Sequence, residues 1–367
     1  MKKKHNFWNN KGSKSFFASL MAIAAGLLFG LIILLFSNAR QAFPAFWMIL
    51  MGGFTDGMAG IGQVLYLATP IILTGLSVGF AFKTGLFNIG SSGQFTFGAF
   101  WAIYIGVKWT FLPPGIHWIV ALLGATLAGA LWGAVPGILK AVSNVNEVIT
   151  SIMMNYIGMY FVNILIVKFV HDPIKNQSVP VAKSAIIPKA GLDVLFRSTN
   201  MNISIFIAVL MVILIYIILN KTIFGYELKA CGHSPSASKY AGINAKRNII
   251  LSMVIAGALS GPGGGLLYLA GSGKYLQVLD VLAPQGFNGI SVALLGMSNP
   301  IGILFAGLFI AHITVGGNNT QLYNFVPEVI DIIISAIIYC GAFALLFKSI
   351  IGKLARKTTY SEAKEES

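Results

Sequence analysis

The chain has 367 residues, of which 56% are hydrophobic and 10% charged, and its net charge is +14. Soluble globular proteins carry about 25% charged residues, so this composition excludes a soluble enzyme or binding domain and places most of the chain in a lipid bilayer. The basic excess sits at the termini and between apolar runs, where membrane-insertion rules put it, and no basic patch interleaved with aromatics marks nucleic-acid binding.

A basic head (Lys2, Lys3, Lys4, Lys11, Lys14) precedes the apolar run from Ala18 to Phe36. That run is long enough to span and has no clear small-residue cleavage site after it, so it is expected as a retained first helix. A charge at the bilayer centre costs about 2.5–3.5 kcal/mol on insertion scales, which makes uncharged windows the natural ruler for later spans. They lie between Asp56 and Lys83, Lys83 and Lys108, Lys108 and Lys140, Glu147 and Lys168, Arg197 and Lys221, and Arg247 and Lys274. The window from Asp280 to Glu328 is too long for one helix, and the turn-like Gly296-Met297-Ser298-Asn299-Pro300 divides it. A last span runs from about Val329 to Phe347, with Asp331 near its start.

The expectation is an all-α integral membrane protein with about ten transmembrane helices. An even count puts both termini on one side. With that side cytoplasmic, inner segments hold 17 Lys/Arg and outer segments 8, as the positive-inside rule requires. Residues 1–17 and 351–367 are then cytoplasmic tails flanking a transmembrane domain at 18–350. An outer loop at about 168–199 contains Pro173, Pro180 and Pro188, and an inner loop at about 221–247 contains Gly225, Gly232, Pro235 and Gly242. Glu147 is placed in the first turn of the fifth span, where negative charge suits the helix N-terminus.

The stretch Gly85-Leu86-Phe87-Asn88-Ile89-Gly90-Ser91-Ser92-Gly93-Gln94 makes a poor continuous helix. Irregular backbone at membrane depth is tolerated only when buried in protein or lining a wet cavity. Gly286-Phe287-Asn288-Gly289-Ile290-Ser291 repeats the Phe-Asn pattern late in the chain, and Thr74-Gly75-Leu76-Ser77 is echoed by Ala256-Gly257-Ala258-Leu259-Ser260. Matching Gly-interrupted spans indicate two related halves with broken helices and a passage between them. The polar residues expected inside the membrane are Asn88, Gln94, Asn155, Asn288, Ser291 and His312. Each either ties helices together or faces the passage. Asn88 and Asn288, in the candidate breaks, are read toward the passage. The remaining glycines, from a total of 41, are read as close helix packing.

Catalytic chemistry is not indicated. Gly271-Ser272-Gly273-Lys274-Tyr275 lacks P-loop spacing, Gly261-Pro262-Gly263-Gly264-Gly265-Leu266 is no dinucleotide fingerprint, and no metal-spaced cluster or nucleophile elbow occurs. Cys231 and Cys340 are read as unpaired thiols. Any energy for transport then comes from an ion gradient or from another subunit.

The segment GLFNIGSSGQFTFGAF resembles the signature of permease subunits in bacterial ATP-binding-cassette importers of the ribose and branched-chain amino acid type. The segment from Asn146 to Ile157 is similar to the nucleoside branch, which works with a basic-membrane-protein-like lipoprotein, and GISVALLGMSNPIG matches the late part of the family. The resemblance runs from about Pro70 to Gly317. It implies a multi-pass cell-membrane subunit, not itself an enzyme, that passes a nucleoside or simple sugar by alternating access. Its implied partners are cytoplasmic ATPase subunits, a second, paralogous permease subunit, and an extracellular binding lipoprotein. It implies no cofactor on this chain, since ATP and Mg²⁺ belong to the ATPase. The segment from Glu227 to Ile243 resembles the coupling loop that docks on the ATPase, with Glu227, Gly232, Pro235, Ser236, Ala237, Tyr240 and Gly242 as its candidate residues. Ser234 and Ser238 depart from the family's usual pattern there. Phe87, Asn88, Gln94, Asn155, Phe287, Asn288 and Ser291 are the candidate path residues, suited to an uncharged solute that hydrogen-bonds. The rivals are an ion-gradient-driven secondary transporter of a small neutral solute, and a membrane enzyme or scaffold.

Overall fold

The computed structural model describes residues 11–198, 200–343 and 349. Helices dominate: α1 (Lys11–Asn38), α2 (Ala42–Met51), α3 (Gly57–Lys83), α4 (Ser91–Lys108), α5 (His117–Ser143), α6 (Glu147–Phe169), α7 (Leu192–Leu195), α8 (Ser204–Lys221), α9 (Ile223–His233), α10 (Pro235–Tyr240), α11 (Ala245–Tyr268), α12 (Pro284–Leu295), α13 (Pro300–Asn319) and α14 (Pro327–Ala342). Between α6 and α7 two short antiparallel strands, β1 (His171–Asp172) and β2 (Gln177–Ser178), pair His171 with Ser178 and Asp172 with Gln177.

Among the described residues, seven helices are long and apolar enough to cross a membrane: the Leu20–Asn38 part of α1, then α3, α5, α6, α8, α11, and α13 with the short turn after it. The fold is therefore all-helical and multi-pass. The other expected spans fall on α4, α12 and α14, which are short or open on polar residues. The division at Gly296–Pro300 is found where it was expected, α12 ending at Leu295 and α13 starting at Pro300. Glu147 does open α6. The Asn146 side chain caps it, accepting from the Val148 and Ile149 amides at 2.9 and 3.4 Å, and Lys140 pairs with Glu147 at 3.0 Å. The helix α2 was not anticipated. The first ten residues of the expected 1–17 tail, the last part of the expected final span and the 351–367 tail lie outside the described residues, and α1 already includes Lys11, ahead of the Ala18 boundary.

The chain divides into two compact units, Met1–Gly52 with Gly316–Ser367, and Gly53–Val315. In the first unit α1 packs on α14, where Gly30 meets Ile333. In the second, α3 and α11 form the centre. Protein buries 89% of the apolar window of α3 and 67% of that of α11, against 28% for α5 and for α6.

A bilayer gives apolar helices no hydrophobic reason to associate, so close contact depends on small side chains. On α5, Ala125, Gly129, Gly133 and Gly137 form a stripe at four-residue spacing. It faces Met253, Gly257, Gly261 and Gly265 of α11, at the same spacing. A methyl group at Gly129 would strike the Gly257 carbonyl, and one at Gly133 the Met253 carbonyl. The packing reading of the glycines holds here.

Candidate functional site

The first place of interest is the irregular segment between α3 and α4, Thr84 to Gly90. Gly85 turns it with φ +71, and the chain then folds back beside α3. Asn88, fully buried, donates to Ser77 Oγ at 3.1 Å and to Gln94 Oε1 at 2.9 Å, while Gln94 Nε2 donates back to Asn88 Oδ1 at 3.1 Å. Asn155 of α6 is also buried. It accepts from the Gly93 amide at 2.7 Å and donates to the Ile89 carbonyl at 3.0 Å. Ser260 of α11 donates to the Ser91 carbonyl at 2.7 Å, and the Thr84 and Ser252 hydroxyls pair at the segment's start. Side chains from α6 and α11 thus satisfy a break that would otherwise leave backbone unpaired at depth. Phe87 is half-buried and its ring lies 5.0 Å from that of Phe82. Sequence spacing brought out the individual amides but not their mutual pairing.

The inner loop is mostly helical. The Thr222 hydroxyl caps α9, accepting from the Gly225 amide at 3.1 Å, and Ser234 caps α10, accepting from the Ala237 amide at 3.3 Å, with Pro235 in the first turn. The candidate coupling residues then separate into two sets. Glu227 accepts from Asn248 of α11 at 3.2 Å. Gly232 lies against the start of the break, where a methyl group would come 2.6 Å from the Lys83 carbonyl and 2.9 Å from the Gly85 nitrogen. These two fasten the α9–α10 pair to the helices. Pro235, Ser236, Ala237, Tyr240 and Gly242 are exposed, Tyr240 at 96%. Gly242 ends the pair with φ +80, a conformation that favours glycine. Cys231 lies on the buried face of α9 and, like Cys340, is a free thiol.

The third place is the start of α12. Gly286-Phe287-Asn288-Gly289-Ile290-Ser291 is not a break, because all of it lies within the continuous helix α12. Gly286 and Gly289 press that helix against Ser92 of α4 and Thr74 of α3. Phe287 and Asn288 are turned outward from that contact, Phe287 being 39% exposed, while Ser291 is buried and donates to the Phe287 carbonyl at 3.3 Å. The interruption comes earlier, from Gly271 to Ala283. Thr74 Oγ1 donates to the Gln285 carbonyl at 2.9 Å and Ser92 Oγ to the Ala283 carbonyl at 2.9 Å. The α12 start is therefore level with Thr74, roughly 14 Å along α3 from its Lys83 end at 1.5 Å per residue. With 12 residues, α12 is about 18 Å long, well short of a hydrocarbon core of about 30 Å.

A cavity of about 210 Å³ opens beside this start, lined by Thr96 of α4, Met159 and Asn163 of α6, Tyr268 of α11, and, from the chain between α11 and α12 and the start of α12, Tyr275, Gln277, Leu279 and 281–285 but not Asp280. None of its lining residues is charged. Hydrogen bonds hold the lining chain in place. Asn163 donates to the Leu279 carbonyl at 3.1 Å and to Asp280 at 3.0 Å, the Ser178 amide donates to the Leu276 carbonyl at 2.8 Å, and the Val278 amide donates to the Asn176 carbonyl at 3.2 Å. A neighbouring cavity of about 190 Å³ shares Tyr268 and Tyr275 and adds Lys274. The Lys274 ammonium lies 5.6 Å from the centre of the Tyr66 ring. Protein crowded around that ammonium strips water from it and lowers its pKa, although the residue as a whole stays exposed. Among the described residues no group of three or more His, Cys, Asp or Glu could hold a metal ion.

The chain matches the family described as branched-chain amino acid transport system / permease component over residues 60–342. It is similar to the guanosine ABC transporter permease protein NupP of Bacillus subtilis, with 36% identity over 341 residues that cover 92% of this chain and 96% of that protein. It is also similar to the nucleoside ABC transporter permease protein NupB of Lactococcus lactis, 35% identical over 365 residues, covering 97% and 98% of the two chains. A second Lactococcus lactis nucleoside permease protein, NupC, is 27% identical over 303 residues, 77% of this chain and 93% of that one. No solved structure matches.

Proposed function

The chain belongs to the family of branched-chain amino acid transport system permease components, and from that membership we propose that it passes a nucleoside into the cytoplasm. As an ABC permease it is the membrane-spanning subunit of an ATP-driven importer and not an enzyme, ATP hydrolysis lying in separate subunits. The observation that carries the nucleoside reading is similarity at 35–36% identity, over almost the whole length of each chain, to permeases named for guanosine and nucleosides. The uncharged cavity at the half-length helix α12 agrees with a neutral solute.

In this reading α4, α12 and the chain from α14 onward complete ten passes, with both termini in the cytoplasm. The end carrying the Thr84–Gly90 break and the α9–α10 pair is cytoplasmic, and the end carrying β1, β2 and the 269–283 chain is extracellular. The exposed Pro235, Ser236, Ala237, Tyr240 and Gly242 meet the ATPase, whose Mg²⁺ and ATP stay on that partner. Glu227 and Gly232 carry its motion to the break and to α11. Asn88, Gln94 and Asn155 hold the break together, with Phe87 packed beside it. Phe287 and Asn288 border the solute path, while Ser291 holds α12 in shape. A second permease subunit, a paralogue as NupB and NupC are both present in Lactococcus lactis, and an extracellular binding lipoprotein complete the importer. The host membrane is a bacterial cell membrane.

The test is uptake of tritiated guanosine by the complete transporter in proteoliposomes. Accumulation that needs ATP and survives an ionophore supports the reading. Accumulation that collapses with the ion gradient while ATP is kept high would establish the secondary-transporter rival instead.

A further inference from the structure

We propose that the cavity at the start of α12 is a binding site for the nucleobase of the transported solute, with Tyr268 and Tyr275 as its aromatic walls and Gln277 and Gln285 as its hydrogen-bonding groups. The proposal rests on the nucleoside reading above and adds to it a place and a set of contacts.

Four observations meet here. The side chains of Tyr268, Tyr275, Gln277 and Gln285 make no hydrogen bond to any described residue. The half-buried Tyr268, Tyr275 and Gln285 nevertheless have no polar atom sealed away without a partner. Elsewhere in the same unit buried amides are paired, as Asn88 with Gln94 and Asn155 with two backbone groups. These four side chains instead open on one accessible space, where a solute can take the hydrogen bonds that water otherwise makes. Second, that space of about 210 Å³ corresponds to about seven waters at roughly 30 Å³ each, the size class of a nucleobase with part of its sugar. Third, the residues that line it are uncharged and the Asp280 carboxylate beside it is already held by Asn163, so an anionic solute would lose hydration without meeting a counter-charge. Fourth, its walls are set in advance, because Asn163, Ser178 and Asn176 already fasten the lining chain.

The chemistry follows from those groups. A primary amide offers a donor and an acceptor side by side, which matches the donor–acceptor edge of a purine or pyrimidine. A phenol ring offers a flat apolar face for stacking and a hydroxyl at its rim. Free ribose has no flat face, so the site discriminates in favour of the base.

The experiment measures guanosine uptake by the complete transporter in proteoliposomes, for the unaltered chain and for Gln285→Leu and Tyr275→Ala. The expected result is a rise of at least fivefold in the KM for guanosine in each variant, with ATP hydrolysis per binding-protein turnover unchanged. Should a variant fail to assemble, Gln277→Cys in a Cys340→Ser background gives a second measurement. Saturating guanosine should slow labelling of the introduced thiol by a membrane-impermeant methanethiosulfonate at least threefold, while ribose leaves it unchanged. Guanosine uptake by the unaltered transporter together with unshifted KM values in the variants and no protection of the introduced thiol by guanosine would overturn the cavity assignment and leave the nucleoside reading standing. No uptake of guanosine, adenosine or uridine by the unaltered transporter would overturn the nucleoside reading itself.

Discussion

The Phe-Asn pairs at 87–88 and 287–288 look alike in sequence and occupy opposite situations. Asn88 is fully buried, and its amide is paired on both sides with Gln94 and also reaches Ser77. Asn288 is half-buried on a continuous helix, and its side chain hydrogen-bonds to no described residue. The first pair belongs to an irregular segment that protein seals; the second belongs to a regular helix whose neighbouring glycines do the packing. The same local composition therefore makes a lock in one place and an open face in the other. What decides is whether complementary polar groups from other helices come within reach.

The largest expected effect tests the glycines around the second pair. A methyl group at Gly289 would come 2.6 Å from Thr74 Cβ, so Gly289→Val forces α12 off α3. Overpacking of this kind costs about 1–3 kcal/mol and occasionally more, and the contact here includes backbone that has no rotamer to move. Purified yield and guanosine uptake should both fall to background. Near-normal yield would show that α12 is not seated by its glycines.

Next is the lock. Asn88→Leu leaves the Gln94 amide and the Ser77 hydroxyl buried without their partner, a penalty of about 1–3 kcal/mol. Asn288→Leu leaves nothing unpaired. Thermal unfolding of the solubilised permease should show a clear drop in Tm for the first and none for the second. The double change Asn88→Leu with Gln94→Leu should recover part of the loss, because removing both partners is cheaper than removing one. Equal Tm changes for the two single variants would break the comparison.

Much of this was open to reading in the sequence, and the rest failed for identifiable reasons. Uncharged windows located the long helices because a charge in hydrocarbon is costly wherever it occurs, and Gly296–Pro300 divided a window that no single helix could fill. The same ruler missed α2, which fills only the space between Arg40 and Asp56. It also set the start of α12 at Asp280, three residues early, because Val281, Leu282 and Ala283 are uncharged yet not helical. Hydropathy reports contact with lipid, whereas α4 starts with Ser91, Ser92 and Gln94 turned into protein. The Asn88–Gln94 pair is separated by six positions across a helix start, a spacing that no periodic pattern signals. The cavity joins Thr96 to Gln285, residues far apart in the chain and in no shared motif. The outward Tyr240 and the inward Gly232 were readable as one loop, but their opposite directions were not.

The difference between sealed and open polar regions also bears on the α9–α10 pair, where Gly232 touches the edge of the lock. Gly232→Val would drive a side chain into the Lys83 carbonyl and the Gly85 amide, displacing the pair from the break. Uptake per ATP hydrolysed should fall severalfold, with ATPase binding retained. If that ratio is unchanged, the lock and the coupling pair move independently.

The smallest effect is expected at Tyr240, which is 96% exposed in the isolated chain and so contributes nothing to its folding. A large aromatic side chain left in water on a short capped helix is suited to an interface, where tyrosine is enriched. Tyr240→Ala should leave Tm unchanged and weaken association with the ATPase subunits by a few-fold, measured by titrating purified ATPase onto the permease in nanodiscs. An accompanying fall in Tm would mean that Tyr240 supports the fold. Unchanged affinity would move the contact onto Pro235, Ser236 and Ala237, which are exposed on the same short helix, while Gly232 would keep its separate role on the inner face.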